Sequence, residues 1–158
     1  MAIRAVVDTG SLVPSWLRIN LQQAAEIGAY TAIWSPWIIA ELNRVLVWRW
    51  IKDRTGNDLS ASNEHRCSQS AKAMMAVLLP TVETVSPLPP YPPAWEHLTD
   101  IWDYPVWATA VEGKAQFVIS ENTHDYPPRQ ANGRYTHEDI EYLSARAFLD
   151  RLAADTLR

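Results

Sequence analysis

Residues 103–125, DYPVWATAVEGKAQFVISENTHD, constrain the fold more than any other stretch of the chain. An acid stands at a helix start, and Val106, Ala110 and Val111 form the apolar face of that helix. Gly113 follows where a helix is expected to stop. Residues 116–119 are a short β-prone run, and the polar cluster at 120–125 ends it. Helix, tight turn, strand and then acids make half of a parallel α/β unit. In open sheets of that kind, ligands bind in the crevice beyond the carboxyl ends of the strands. Acids at other strand ends are therefore the residues to seek.

The first is close to the N-terminus, where residues 3–7 read as a short buried strand running straight into Asp8. Thr9-Gly10-Ser11 then supplies hydroxyls and a flexible turn, and residues 12–27 read as helical up to a stop at Gly28. Residues 30–34 are a second β-prone run. Ser35-Pro36 marks a helix start twice over, with a capping hydroxyl and a proline at the first helical position. Trp37, Ile38, Leu42, Val45 and Leu46 recur at helical spacing, and Glu41 lies inside that pattern. A carboxylate there is costly to bury unless it is paired or bound to metal.

The middle of the chain is harder to read. Residues 48–70 suggest a helix end and an exposed loop, after which 70–79 return to helical character. Residues 81–85 are a third strand candidate. Residues 87–93, with their run of prolines, suit only an extended connector. Residues 140–143 read as a last strand, and Ser144 caps a final helix to about 153. Alternating strands and helices call for an α/β fold with a mostly parallel, doubly wound sheet. A single domain over residues 1–158 is expected, with 48–70 and 87–93 as loop or connector regions.

Composition narrows the function. With 47% hydrophobic residues the chain can bury a full core, and no run of some 18 apolar residues marks a membrane span. The opening turns acidic at Asp8, too soon for a secretory signal. Cys67 alone allows no internal disulfide, in keeping with a cytoplasmic location. A net charge of −4 argues against a broad basic surface for nucleic acid. It leaves room for a local site where cations neutralise carboxylates.

Four acids on separate elements compose such a site: Asp8, Glu41, Asp103 and Asp125. Clustered carboxylates repel, so the arrangement makes sense with hard cations. Oxygen ligands suit Mg²⁺ or Mn²⁺, which contact substrate phosphates and assist phosphodiester hydrolysis. Each acid also has a plainer reading. Asp8 and Asp103 suit helix caps, Glu41 a solvated helix face, and Asp125 a turn. Asp100 competes with Asp103, three residues upstream of it. His124 is either a transition-metal ligand or a loop side chain. Trp48 and Trp50, near Arg44, Arg49, Lys52 and Arg54, either stack bases or end an amphipathic helix.

Taken together these motifs resemble the PIN-domain family. Val6-Val7-Asp8-Thr9-Gly10-Ser11-Leu12-Val13 looks like its opening strand motif, and the run from Ser35-Pro36 to Glu41-Leu42 like its second acidic motif. Residues 103–110 are similar to the third motif and 117–126 to the fourth. Residues 140–144 with Phe148-Leu149 resemble the close of the toxin-like, VapC-like branch. The resemblance implies a Rossmann-like nuclease fold and RNA cleavage dependent on Mg²⁺ or Mn²⁺. It gives catalytic and metal-ligating roles to Asp8, Glu41, Asp103 and Asp125. Ser120, Asn122 and Ser11 would support them, and Ser120 would orient Asp8 or a metal-bound water. RNA is the implied substrate, contacted by Arg44, Arg49 and Lys52. An antitoxin protein is the implied partner, and a homodimer the expected assembly. Two departures stand out: Pro105 sits just inside the third-motif helix, and Asn122 occupies a place where many members carry an acid.

Other phosphate-handling α/β families fit less well. Gly10 stands where a haloacid-dehalogenase-type phosphatase needs its second Asp, Ser86-Pro87 where a receiver domain needs its phosphoacceptor, and no Gly-rich phosphate loop is present. The remaining alternative to an active nuclease is a non-catalytic PIN-like module that binds RNA or protein.

Overall fold

The computed structural model describes residues 2–98 and 101–157. Its strands are β1 (Arg4–Val7), β2 (Thr31–Trp34), β3 (Val82–Thr84), β4 (Phe117–Ile119), β5 (Tyr135–His137) and β6 (Ile140–Leu143). They form one six-stranded sheet in the order β3-β2-β1-β4-β6-β5. Every pairing is parallel except that of β5 with β6. Val6, Val7, Ile33, Trp34, Val118 and Ile119 are buried regardless of which way they point. Successive strand residues face opposite sides, so both faces of the central sheet are covered.

The helices are α1 (Thr9–Leu12), α2 (Ser15–Glu26), α3 (Pro36–Thr55), α4 (Ala61–Leu78), α5 (Tyr104–Glu112) and α6 (Ala145–Ala153). Ser35 and Ser144 cap α3 and α6, each accepting a backbone N–H three residues on. α5 packs against β1, β2 and β4 with its residues Pro105–Ala110 all buried. Gly113, just past its end, is required by closeness rather than by backbone angle. A Cβ there would lie 2.7 Å from Ile33 Cγ2 and 3.0 Å from the Thr109 carbonyl.

The sheet places the site. The chain steps from β1 to β2 and β3 in one direction, then returns to lay β4 on the other side of β1. This reversal opens a crevice at the carboxyl ends of β1 and β4, the switch point at which ligands bind in such sheets. Val7 pairs with Ile119 and Ile119 with Leu143, so the three strands end level. The next residue on β1 is Asp8 and on β4 is Ser120.

The α/β fold with its mostly parallel sheet is as the sequence implied, two local expectations need correction, and one strand is additional. The helix expected over 12–27 is two helices, because Pro14 has no N–H with which to continue α1. Pro14 instead opens α2, and the buried Arg18 guanidinium donates to the Leu12 and Val13 carbonyls at 2.8 and 3.2 Å. The expected loop over 48–70 is nearly all helix. α3 runs on to Thr55, Gly56 ends it in the left-handed region, and Ser60 caps α4, which begins at Ala61. The first half of α4 escapes a search for apolar periodicity because its buried residues, Asn63, Cys67 and Ala71, are barely hydrophobic; its second half, with Met75 and Leu78, falls within the helix expected over 70–79. β5 was not expected; it is a three-residue antiparallel edge strand of polar and aromatic residues. Residues 87–93 form no helix or strand, as a connector requires. Asp100 lies outside the described residues.

Candidate active site

Asp8 leaves β1 in extended backbone, and its N–H donates to the Ile119 carbonyl at 2.9 Å, which ties it to the end of β4. One carboxylate oxygen accepts from the Thr9 N–H at 2.8 Å and the other from the Ser120 hydroxyl at 2.9 Å. The helix-cap reading and the site reading therefore hold together. Asp8 caps α1 and also lines a pocket with Asp103, Ser120, Asn122 and Asp125.

Each neighbour is fixed by a different element. Asp103 stands at the start of α5 and makes no capping hydrogen bond to that helix. Pro105 is tolerated there, since a first-turn proline lacks an N–H that the helix does not use. Asp125 lies in a short 3-10 turn at Thr123–Asp125, where the Asn122 side-chain amide donates to its carboxylate. Asn122 thus stands beside the fourth carboxylate and holds it. Its own N–H donates to the Ser120 hydroxyl at 3.1 Å, so that one hydroxyl links the β4 loop to Asp8. The Tyr126 hydroxyl donates to the Ser120 carbonyl at 2.6 Å and pins the same loop from below.

Glu41 is half-buried on α3, one residue before the buried Leu42. Its carboxylate accepts from the Thr9 hydroxyl at 2.8 Å, which carries it to the β1 end. It faces an adjoining part of the cleft together with Trp37, Arg44, Trp102, Asp103 and Asn122. Asp103 and Asn122 belong to both parts, so the two are continuous.

The electrostatics agree with this convergence. Burial pushes the Asp8 carboxyl above its ordinary value, the Ser120 and Thr9 hydrogen bonds pull it down, and the charges of Glu41 and Asp125 push it up. Tyr142, whose ring lines the same pocket, is raised far above a normal phenol by burial and by the charges of Asp8 and Asp103.

Other sequence candidates fall elsewhere. Ser11 is fully buried, and its hydroxyl donates to the Ile119 carbonyl at 3.3 Å, so it fastens α1 to β4 beneath the pocket. Of the three basic candidates only Arg44 lines the cleft. Arg49 pairs with Asp53 at 2.8 Å on exposed α3, and Lys52 is exposed in its last turn. Trp50 lies under Arg54 at 5.0 Å and Trp48 is exposed. His124 is a surface side chain, 3.6 Å from Asp125. Sequence reasoning missed Thr9, Tyr126 and the Trp37–Trp102 pair. The signals were Thr9's place directly after Asp8, and Trp102's place directly before Asp103. Glu121, in the same loop, accepts from the Ala145 N–H at 2.8 Å and serves the start of α6 instead.

The donor set is oxygen-only, which is what Mg²⁺ and Mn²⁺ take. Among the described residues no group of three His, Cys, Asp or Glu stands close enough to hold an ion, so the four acids do not form a ready-made cage. A hard cation that keeps several waters and uses one or two carboxylates still fits the pocket.

A family model for the PIN domain matches residues 4–124. The chain belongs to the PIN-domain family. The match holds Asp8, Glu41, Asp103, Ser120 and Asn122 and stops one residue before Asp125. PIN domains are generally nucleases and usually use divalent metal ions. No curated protein and no solved structure matches the chain. Among the described residues no helix is long and apolar enough to cross a membrane.

Proposed function

We propose that this PIN domain is a Mg²⁺- or Mn²⁺-dependent endoribonuclease, the toxin of a toxin–antitoxin module. The observation that carries the reading is the meeting of Asp8, Asp103 and Asp125 in one pocket at the switch point of the sheet, with Glu41 drawn to it through Thr9. Asp8, whose charge is opposed by burial and by Glu41 and Asp125, marks a site built for a positive partner. Asp8 and Asp103 would hold the cation, with Glu41 and Asp125 at its flanks. When bound, such an ion activates water and stabilises the leaving oxygen of a phosphodiester.

The rest is done by the chain itself. The Ser120 hydroxyl and the Thr9 N–H fix both oxygens of Asp8, so its carboxylate plane cannot rotate. Thr9 and Asn122 do the same for one oxygen each of Glu41 and Asp125. Carboxylates held in this way lose little freedom when substrate and ion arrive.

The toxin role, an antitoxin partner and a homodimer rest on the resemblance of the closing strand and helix to the toxin-like branch, and a cytoplasmic site of action on the lone Cys67. The second reading, a binding module without turnover, draws on the absence of a ready-made metal cage among the described residues. The deciding experiment is cleavage of end-labelled single-stranded RNA in Mg²⁺, in Mn²⁺ and in a chelator. Cutting in the metals alone supports the nuclease; RNA bound but never cut supports the module. Induced expression should arrest growth if the chain is a toxin.

A further inference from the structure

The cleft has a second half that the carboxylates do not account for. Trp37 on α3 and Trp102, just before Asp103, stack with ring centroids 5.2 Å apart and planes 22° apart. Trp102 is 59% exposed, so part of its indole surface is open to the cleft's solvent. The pair forms one wall of the space that Glu41, Arg44, Asp103 and Asn122 also line. Arg44 is exposed and has no carboxylate partner among the described residues, whereas Arg49, on the same helix, is tied to Asp53.

We propose that the Trp37–Trp102 wall is a base-stacking subsite that seats one unpaired nucleobase of a single-stranded RNA, with Arg44 on an adjacent phosphate. An aromatic face accepts any base, and a neighbouring guanidinium supplies the charge that the acidic pocket cannot give to a polyanion. A base held on this wall lies next to Asp103, which the subsite shares with the carboxylate pocket, so seating it brings the backbone toward the acids. A paired base is already stacked within its helix and cannot be splayed onto the wall. The subsite therefore selects single strands. It deepens the ribonuclease reading and rests on it for the identity of the nucleic acid.

The test is binding of a fluorescent single-stranded octaribonucleotide in a chelator and in Mg²⁺, beside kcat and KM for its cleavage. Trp102→Ala should weaken binding and raise KM about tenfold, the scale of one lost base–aromatic stack, with kcat little changed. Trp102→Tyr, which restores an aromatic face, should recover most of that loss. Arg44→Gln should lower the slope of log affinity against log salt by about one. Arg49→Gln should change neither quantity. An oligonucleotide with a single abasic position should bind wild type more weakly when that position falls at the wall, and Trp102→Ala equally at every position.

Equal affinity of wild type and Trp102→Ala, duplex RNA bound as tightly as single strands, or no RNA bound in either condition would each overturn the proposal; the last would leave the cleft to a protein partner. The two readings fail separately. Cleavage with an unchanged KM in Trp102→Ala removes the subsite and keeps the nuclease. Trp102-dependent binding without any cleavage keeps the subsite and removes the nuclease.

Discussion

The two ends of β1 treat charge in opposite ways. At its start, Arg4 donates through its guanidinium to both oxygens of Glu83 at 3.0 and 2.7 Å and to the Gly113 carbonyl at 2.9 Å. Each partner gains: Arg4 is held above its usual pKa and Glu83 below the usual carboxylate range. Just past the other end, Asp8 is held above that range by burial, and the charges of Glu41 and Asp125 add to the effect. One strand of four residues thus carries a matched pair at one end and crowded acids at the other. Matched charge contributes to stability, whereas crowded like charge is retained at a cost and marks where a ligand completes the set.

The largest effect should separate the two ends outright. Asp103→Asn keeps the shape of the side chain and removes a charge from the crowded end. RNA cleavage should fall by about 10²-fold or more, the scale typical of lost electrostatic stabilisation, while melting stays level or rises. Arg4→Met at the matched end should do the reverse, costing about 1–2 kcal/mol through the lost charged hydrogen bonds. That amounts to a fall in Tm of several degrees at this chain length, with cleavage retained. Parallel melting curves and cleavage rates for the two variants are the check. A destabilised, active Asp103→Asn would erase the contrast.

The crowded end of β1 was legible in the sequence for a physical reason, whereas the Arg4–Glu83 pair was not read there. Strands such as AVV and FVI, buried on both faces, read as continuous apolar runs; Asp8 stands directly after the first, and Asp103 at a helix start flagged by proline. Ser35-Pro36 and Gly113 mark their helix boundaries because capping and close approach demand those residue types. The α3–α4 hairpin was legible only at its two ends. The buried residues on the first half of α4 are Asn63, Cys67 and Ala71, and the turn between the helices is set by Asp58 and Asn63, which bond at 2.9 Å. The basic candidates divide for a related reason. Arg44, Arg49 and Lys52 look alike along the chain, and only the direction of each on a helix surface sends Arg44 alone into the cleft. Thr9 and Asn122 act through hydrogen bonds to acids distant in sequence or across a turn, which no periodicity reports.

A smaller effect sharpens the account of the crowded end. The Asp8 pKa is raised in the folded protein, so the folded state holds this proton more tightly than the unfolded chain does. Its unfavourable contribution is absent below the unfolded value, grows as pH rises through the raised folded value, and is then constant. Asp8→Asn should therefore raise Tm at neutral pH in a chelator, and the gain should vanish at pH below the ordinary carboxylate range. Mg²⁺ should narrow the neutral-pH gap by stabilising the wild type alone. Thermal melts of both proteins across pH, with and without the metal, provide the measurement. A variant that is less stable at neutral pH would mean that the cap to Thr9 outweighs the repulsion.

The smallest effect belongs to the matched end. Glu83 is nearly half exposed and Arg4 about a quarter, so solvent and salt screen their attraction. Glu83→Gln should cost less than about 1 kcal/mol, well below the loss in Arg4→Met, because Arg4 keeps the Gly113 carbonyl as an acceptor. The sign with pH is opposite to that of Asp8. Arg4, chiefly through its hydrogen bonds, holds the Glu83 carboxyl low, so the pair's stabilisation is complete above the unfolded pKa and is lost as pH falls through the lowered folded value. Wild type and Glu83→Gln should therefore converge in Tm at acid pH, as they should at neutral pH in high salt. Asp8→Asn and its wild type also converge in acid, but from the other side, with the variant melting higher at neutral pH. If Glu83→Gln raised Tm at neutral pH and low salt, the two ends of β1 would not differ in kind, and crowded like charge would lose its value as a marker of the site.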